Sequence, residues 1–253
     1  MRYFMELAYD GTSYHGWQVQ TGATSLQELI EKGLRYKAGF TGRITGCGRT
    51  DAGVHARQFF AHFDFDELLS EEALGRLAGD LNRYFPDDVV IFRIFRVKDE
   101  AHSRYDALSR TYEYNIALRP DPFNRFYTWH LHFKPDFEKM NLASAILMEY
   151  TDFTSFSKLH SDAITNICHV TQAEWKEDDG LLVFRITADR FLRNMVRAVV
   201  GTIIDVGRGK TSLEDFRQII ESRNRQNAGF SVPARALFLQ SVVYDWLKIL
   251  PCS

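Results

Sequence analysis

The segment from Gly46 to Ala56 combines glycine, arginine and one carboxylate within a few residues. Its glycines allow tight backbone conformations, so a loop of this kind can hold a polar side chain at the edge of a cleft. Arg49 stands two residues before Asp51 and could keep that carboxylate ionised, as a nucleophile or a general base requires. The same pattern also occurs in surface turns with a local salt bridge, and composition alone favours that second interpretation.

Histidines close to this loop raise the question of a metal site. His55 follows Asp51 by four residues, and His62 and Cys47 are near in sequence. Gly53 disfavours the helix that would place Asp51 and His55 on one face, and His55 and His62 would point to opposite faces of a strand. We therefore expect no metal, and we interpret both histidines as packed or hydrogen-bonded side chains.

A second segment, from Arg190 to Arg197, is rich in arginine. The spacing of Arg190, Arg193 and Arg197 predicts one basic helical face, with apolar side chains on another. Arginine can bind two phosphate oxygens at once, so this face could contact a nucleic acid, although a merely solvated face fits as well. Three flanking cations would extend the positive surface: Arg185, Arg208 and Lys210.

Two tyrosines alternate on a predicted strand after Arg110. Tyr112 and Tyr114 should face the same side of a sheet, where an aromatic ring could stack on an unpaired base. Aromatic residues at alternate strand positions are more often buried in a core. The pair therefore identifies no function without further information.

The predicted strands and helices that position these segments follow a similar order in the two halves of the chain. Strands that cluster in pairs favour an α+β fold with a mostly antiparallel sheet over a doubly wound parallel one. We place the lobes at 1–100 and 101–253. Predicted strands span 3–8, 55–64, 89–97, 111–116, 169–176, 181–187 and 238–245. Predicted helices span 25–39, 71–84, 137–150, 191–206 and 213–222.

Bulk composition is that of an ordinary globular chain. With 31 basic and 33 acidic residues, a nucleic acid would have to be held by a local basic face rather than by net charge. Cys47, Cys168 and Cys252 lack the spacing of a disulfide framework or a zinc site, which favours a reducing compartment. The N-terminus shows no signal-peptide core, and no stretch has the length of a membrane span. We expect a cytoplasmic location and no membrane partner.

Several motifs follow one another along nearly the whole chain. They are residues 9–12 (YDGT), 16–20 (GWQVQ), 48–56 (GRTDAGVHA), 110–114 (RTYEY), 152–156 (DFTSF) and 191–197 (FLRNMVR), with Pro233-Ala234 ahead of Leu237. Together they closely resemble the tRNA pseudouridine synthase A family. The match around Asp51 is the most specific of them.

The resemblance implies the pseudouridine synthase fold: two lobes, a central mostly antiparallel mixed sheet flanked by helices, and an active cleft between the lobes. It implies an isomerase that converts uridine to pseudouridine at positions 38, 39 and 40 of the tRNA anticodon stem-loop, as a homodimer and without metal or organic cofactor. By position in the motifs, Asp51 would be the catalytic aspartate and Arg49 its ion-pair partner. Tyr112 would stack on the uracil, and Leu237 would line the same pocket.

The chain departs from the family pattern at two places. Ala236 stands where the family usually has glycine, and Thr151 stands where it usually has histidine. The first departure bears on the pocket beside Leu237, because a methyl group there narrows the approach of the backbone.

Two other functions remain open from the residues alone. A non-catalytic RNA-binding protein or chaperone would use the arginines and the aromatic rings but not Asp51. A metal-dependent phosphoesterase would use Asp51, His55 and His62. Both can be separated from an isomerase by experiment.

Overall fold

The computed structural model describes residues 1–158, 165–178 and 180–251. The chain divides into two compact units. The first comprises Met1–Leu108 and the C-terminal segment from Leu239, and the second comprises Ser109–Phe238. The sequence-based boundary at residue 100 assigned the whole C-terminus to the second lobe, whereas the segment from Leu239 groups with the first unit.

The elements follow in chain order. The strands are β1 (Arg2–Tyr9), β2 (Thr45–Gly46), β3 (His55–Asp64), β4 (Val89–Arg96), β5 (Ala107–Ala117), β6 (Trp129–His130), β7 (Val170–Asp178), β8 (Leu181–Ala188) and β9 (Leu237–Tyr244). The α-helices are α1 (Leu26–Ala38), α2 (Glu71–Tyr84), α3 (Phe137–Ile146), α4 (Met195–Gly207), α5 (Leu213–Glu221) and α6 (Trp246–Ile249).

The first unit is built on antiparallel strands in the order β4-β1-β3, with β2 paired to β3 and β9 next to β3. Phe4 on β1 and Phe60 on β3 have no exposed surface, because Tyr244 and Trp246 of the C-terminal segment pack against them. The ring of Trp246 also meets Phe95 on β4 at 5.7 Å. This aromatic packing explains why the C-terminus belongs to the first unit.

Helices α1 and α2 begin and end as the sequence predicts. The Ser25 hydroxyl accepts the Glu28 N–H at 3.3 Å, and Gly39 closes α1 in the left-handed conformation with φ +67°. The Ser70 hydroxyl accepts the Ala73 N–H at the start of α2. The predicted ranges of α2 and β3 are confirmed without change.

The second unit carries the antiparallel strands β5-β8-β7, and the two-residue strand β6 runs parallel to β5. Tyr114 and Phe184 lie opposite each other in the register of β5 and β8, and both are fully buried. The predicted hairpin is confirmed by the pairing of Asp178 with Leu181, although its middle residue, Asp179, lies outside the described residues. Cys252 also lies outside them.

The α+β class and the mostly antiparallel sheet are therefore confirmed. Short elements were missed, namely β2, β6 and α6, since two to four residues show no period. Across the described residues, no helix combines the length and the apolar character needed to cross a membrane.

Candidate functional site in two groups of residues

The loop that carries Asp51 joins β2 to β3 in the first unit. Asp51 opens a turn in which its carbonyl oxygen accepts the Val54 N–H at 3.2 Å, and Gly53 takes φ +76° within that turn. Asp51 is half-buried and Arg49 is exposed. Asp51 is thus not enclosed in the hydrophobic interior, which is the first requirement for contact with a substrate.

A second loop, between β1 and α1, fixes the backbone of the Asp51 loop. A Cβ atom on Gly11 would lie 2.0 Å from the Val54 carbonyl oxygen, and one on Gly16 would lie 2.4 Å from that of Thr50. The Trp17 N–H donates to the same Thr50 oxygen at 3.2 Å. Only glycine permits this close approach, so residues 10–17 form a rigid support for Asp51.

Side chains complete the support. The hydroxyls of Tyr9 and Thr50 share a buried hydrogen bond of 2.8 Å. The Nδ1 atom of His55 lies 3.0 Å from the Gly11 nitrogen and also 3.0 Å from an Asp10 carboxylate oxygen. An unprotonated Nδ1 accepts from Gly11, whereas a protonated one donates to Asp10, so the tautomer of His55 selects between these bonds.

The histidines near Asp51 have structural partners. His55 is 1% exposed, and the Nδ1 atom of buried His62 accepts the Ser103 N–H at 3.2 Å. Burial lowers the pKa of His62 to about 4. Over the part of the chain that the structure describes, no group of three or more His, Cys, Asp or Glu side chains could hold a metal ion.

Tyr112 lies in the second unit, at the middle of β5. It is half-buried, and its ring is nearly perpendicular to the Phe191 ring, with 5.1 Å between the ring centres and 84° between the planes. Tyr114 is fully buried, and its hydroxyl donates to the Pro233 carbonyl oxygen at 2.9 Å. Burial raises the pKa of Tyr114. The two tyrosines therefore differ: Tyr114 belongs to the core, and Tyr112 keeps part of its ring accessible.

The prediction of a helix from Phe191, with three arginines on one face, is wrong. Helix α4 begins only at Met195, because Asn194 adopts the left-handed conformation with φ 67°. Arg190 and Arg193 therefore precede the helix, and only Arg197 lies within it. A stripe at helical spacing requires continuous helical backbone, which Asn194 interrupts.

The three arginines have different surroundings. Arg193 is exposed, whereas Arg190 and Arg197 are half-buried. The Arg197 Nε atom donates to the Val232 carbonyl oxygen at 2.7 Å, and the Val232 N–H donates back to the Arg197 carbonyl oxygen at 3.2 Å. These two bonds hold the segment from Val232 through Pro233 to Leu237 against Arg197.

Leu237 begins β9 and is 5% exposed. A short 3-10 turn, Ala234–Ala236, precedes it, and Ala236 is completely buried. The Arg235 side chain donates to the Thr128 carbonyl oxygen at 3.2 Å. Leu237 therefore lies at the end of a segment held from two sides, by Arg197 and by Arg235.

The flanking cations Arg185, Arg208 and Lys210 have different partners. Arg185 pairs with Glu113 on the neighbouring strand, and Lys210 lies 3.8 Å from Asp205. The Arg208 guanidinium instead lies over the Phe133 ring, 4.9 Å from its centre. Two of the three thus have carboxylate neighbours, and whether they extend a positive surface stays a prediction.

Comparison with known proteins bears on both groups of residues. Residues 150–245 match the family model described as tRNA pseudouridine synthase. The chain is 53% identical to tRNA pseudouridine synthase A of Bacteroides fragilis over 245 residues, 96% of each chain. It is 38% identical to the protein of that name from Bacillus licheniformis over 249 residues, 97% of this chain and 100% of the other.

The chain belongs to the tRNA pseudouridine synthase A family. The resemblance drawn from the motifs is thereby confirmed. The family model covers the arginine segment and Leu237 but begins only at residue 150, after the Asp51 loop, whereas the relatives match about 96% of the chain.

Some residues around the candidate site of this tRNA pseudouridine synthase A family member were missed from sequence. Thr50, next to Asp51 in the chain, forms a hydrogen bond with Tyr9, and the Phe191 ring packs against Tyr112. Arg235 binds Thr128 and so holds the segment ahead of Leu237. Thr50 and Phe191 lie inside the matched motifs, so the motifs offered a signal for them. Arg235 offered none, because its partner Thr128 is far away in sequence.

Proposed function

We propose that this member of the tRNA pseudouridine synthase A family isomerises uridine to pseudouridine in tRNA with Asp51 as its one essential carboxylate. The observation that supports the proposal most is the position of Asp51, a half-buried residue on a turn whose backbone is fixed by close contacts with Gly11 and Gly16. A rigidly held carboxylate with one accessible side can meet a reacting atom at a defined distance.

The reaction demands little else of the protein. The bond between C1′ of the ribose and N1 of uracil breaks, the base turns, and C1′ bonds to C5. C5 loses its proton and N1 gains one, so the product is an isomer and no oxidant or reductant is consumed. Asp51 either attacks C1′ and forms a covalent adduct or removes a ribose proton to give a glycal, and both routes require an ionised carboxylate.

Arg49 is proposed as the ion-pair partner that favours the ionised form of Asp51. Tyr112 is proposed to stack on the target uracil with the accessible part of its ring, while the perpendicular Phe191 ring packs against it. A base must leave its stack to react, which costs a few kcal/mol, and stacking on an aromatic side chain returns about 1–3 kcal/mol. Leu237 is proposed to line the uracil pocket.

The arginines are proposed to bind phosphate groups, but not as one helical stripe. Arg193, which is exposed on the turn before α4, is the better candidate for a direct phosphate contact, and Arg190 is adjacent to that turn. Arg197 is proposed to act indirectly: its hydrogen bond to Val232 holds the segment ahead of Leu237 in place. Each phosphate contact should add to the salt dependence of tRNA binding.

The finer assignments rest on the family resemblance. We propose that the modified uridines are those on the 3′ side of the tRNA anticodon arm, that the protein acts in the cytoplasm, and that it acts as a homodimer. No metal or organic cofactor enters the proposed reaction, because neither bond change requires one.

Mapping pseudouridines in tRNA incubated with the purified protein tests the proposed function. We expect pseudouridine at positions 38, 39 and 40 of suitable tRNAs, and the same yield in excess chelator. Intact tRNA without pseudouridine would favour an RNA chaperone. Cleavage of phosphodiester bonds that depends on an added divalent ion would favour a phosphoesterase.

A further inference from the structure

An open cleft of about 450 Å³ lies in the second unit, at the end of β5. It is lined by Leu118, His130, Leu131, His132, Phe133 and Lys134. The rings of His130 and His132 meet edge to face at 4.5 Å, and the Arg208 guanidinium lies over the Phe133 ring. None of the lining side chains is acidic.

The cleft is separate from Tyr112. Residues Ile116 and Ala117 of β5 pair with β6, five residues beyond Tyr112 at most. At about 3.4 Å per residue, this end of the strand is roughly 17 Å from Tyr112. A group bound in the cleft would therefore not be the uracil that stacks on Tyr112.

The loop 118–128 begins and ends at this cleft. Pairing of Ile116 with Trp129 and of Ala117 with His130 closes its base, and the Leu131 N–H donates to the Ala117 carbonyl oxygen at 3.0 Å. The loop and the cleft therefore form one surface, here called the loop–cleft surface: residues 118–128, the cleft residues 130–134, and Arg208.

The loop exposes two aromatic rings, one on each side of Arg125 in the sequence. Phe123 is 88% exposed and Phe126 is 47% exposed. The Arg125 guanidinium lies 4.3 Å from the centre of the Phe126 ring. A single exposed aromatic residue is common on protein surfaces, but aromatic rings interleaved with cations are typical of surfaces that bind nucleic acids by stacking and charge.

The loop is held in shape by its own hydrogen bonds. Asp121 accepts the N–H groups of Phe123 and Asn124 and the side-chain amide of Asn124, and these bonds hold its pKa below the usual range. The Thr128 hydroxyl donates to the Asn124 carbonyl oxygen at 2.9 Å. Phe123 is thus presented on an ordered turn, which reduces the entropy lost when it contacts a partner.

We propose that the loop–cleft surface binds a part of tRNA distant from the target uridine, with Phe123 stacked on an unpaired base and the cleft cations next to the phosphate backbone. The inference rests on the proposed function, since it takes tRNA as the substrate. The charge of the loop–cleft surface indicates which class of partner it binds. Asp121 is occupied within the loop, and Asp136 beside the cleft caps α3 and pairs with Lys139, so the surface offers cations and rings to a partner.

A second copy of the chain fits this surface less well. In a two-fold symmetric dimer the same patch meets itself, so a surface that carries Arg125 and Lys134 would meet a second surface with the same cations. Like charges brought together in this way oppose association. A polyanion has the complementary charge and also supplies unpaired bases for the rings.

The test compares Phe123→Ala and Lys134→Gln with Lys176→Gln, an exposed lysine on β7 paired with Glu174. Binding of each full-length variant to intact tRNA is measured over a range of salt, together with steady-state kinetics. A short hairpin cut around the mapped uridine serves as a second RNA. Unfolding temperatures check the fold, which Phe123→Ala should leave intact because the side chain is exposed.

We expect Phe123→Ala to weaken the binding of intact tRNA about 5-fold or more and to raise KM with kcat unchanged. Lys134→Gln should reduce the slope of log affinity against log salt by roughly 0.7 to 0.9. Lys176→Gln should do neither, and hairpin binding should be the same for all variants.

Equal tRNA affinity for Phe123→Ala and Lys176→Gln would overturn the inference. So would an equal loss of affinity for the short hairpin, or a change in oligomeric state caused by Phe123→Ala, which would assign the surface to a second copy. A wild-type protein that forms no pseudouridine would instead refute the proposed function, while the binding measurements would still report on this surface.

Discussion

The Asp51 loop and the Arg190–Arg197 segment carry the two groups of residues in the proposed site, yet their sequences predict their structures unequally. The Asp51 loop is held by backbone against backbone, with Gly11 and Gly16 in close contact with Val54 and Thr50. The arginine segment has the spacing of a helical face, but its first half is not helical.

The difference lies in what each pattern specifies. Glycine at a point of close approach is demanded by sterics, so a glycine-rich pattern reports directly on the backbone. A periodic pattern of side chains reports on a face only if the backbone is continuous, and one left-handed residue, Asn194, breaks that condition. The glycines therefore predicted the backbone conformation of the Asp51 loop better than the spacing of the arginines predicted that of their segment.

The largest expected effect comes from filling the contact between the two glycine-rich loops. Gly11→Ala would place a methyl group 2.0 Å from the Val54 carbonyl oxygen, so the backbone beside Asp51 must move. We expect a loss of at least about 3 kcal/mol in the free energy of unfolding, with loss of isomerase activity. Chemical denaturation and a pseudouridine assay measure the two effects.

Gly48→Ala is the matched control for this prediction. A Cβ atom on Gly48 meets nothing within 4 Å, so this variant should lose less than about 1 kcal/mol. Comparable losses of stability in the two variants would show that the steric contact between Gly11 and Val54 does not determine the conformation of the Asp51 loop.

The sequence predicted most of the regular framework, because long elements carry both period and caps. Ser25 and Gly39 lie at the ends of the helix predicted over 25–39, and α2 and β3 span the predicted residues. It could not predict contacts between residues far apart in the chain. The bond from Arg235 to Thr128 and the packing of Trp246 against β3 and β4 depend on the folded topology, which local patterns do not contain.

A smaller effect concerns His62, which lies on β3 beyond the Asp51 loop. The folded-state pKa of about 4 is below the ordinary 6.5, since burial disfavours the charged ring. Above pH 6.5 the residue is neutral in both states. As the pH falls from 6.5 towards 4, the unfolded chain binds a proton that the folded chain does not, so the free energy of unfolding falls by up to roughly 3 kcal/mol.

Denaturation curves of the wild type and His62→Asn across this pH range check the prediction. The variant should show a smaller fall than the wild type. Some slope should remain, because His102 also has a lowered pKa. If the free energy of unfolding changes with pH in the same way in both proteins, His62 binds its proton in the folded state at its ordinary pKa. The prediction would then be wrong.

The smallest expected effect separates two arginines that the helical pattern treated alike. Arg197→Gln removes the hydrogen bond to the Val232 carbonyl oxygen, so we expect a loss of about 1–2 kcal/mol in the free energy of unfolding. Arg193→Gln, at an exposed position, should cost less stability and should flatten the salt dependence of tRNA binding. Equal effects of the two changes on both quantities would contradict the different roles assigned to Arg193 and Arg197.

The most direct test of the central claim is the replacement of Asp51 by Asn, which removes the charge and keeps the shape of the side chain. Pseudouridine formation and tRNA affinity are measured on the same preparation. Our account predicts that pseudouridine formation by Asp51→Asn falls below detection while the affinity for tRNA stays within a few-fold of the wild type. Pseudouridine formation at the wild-type rate would contradict it.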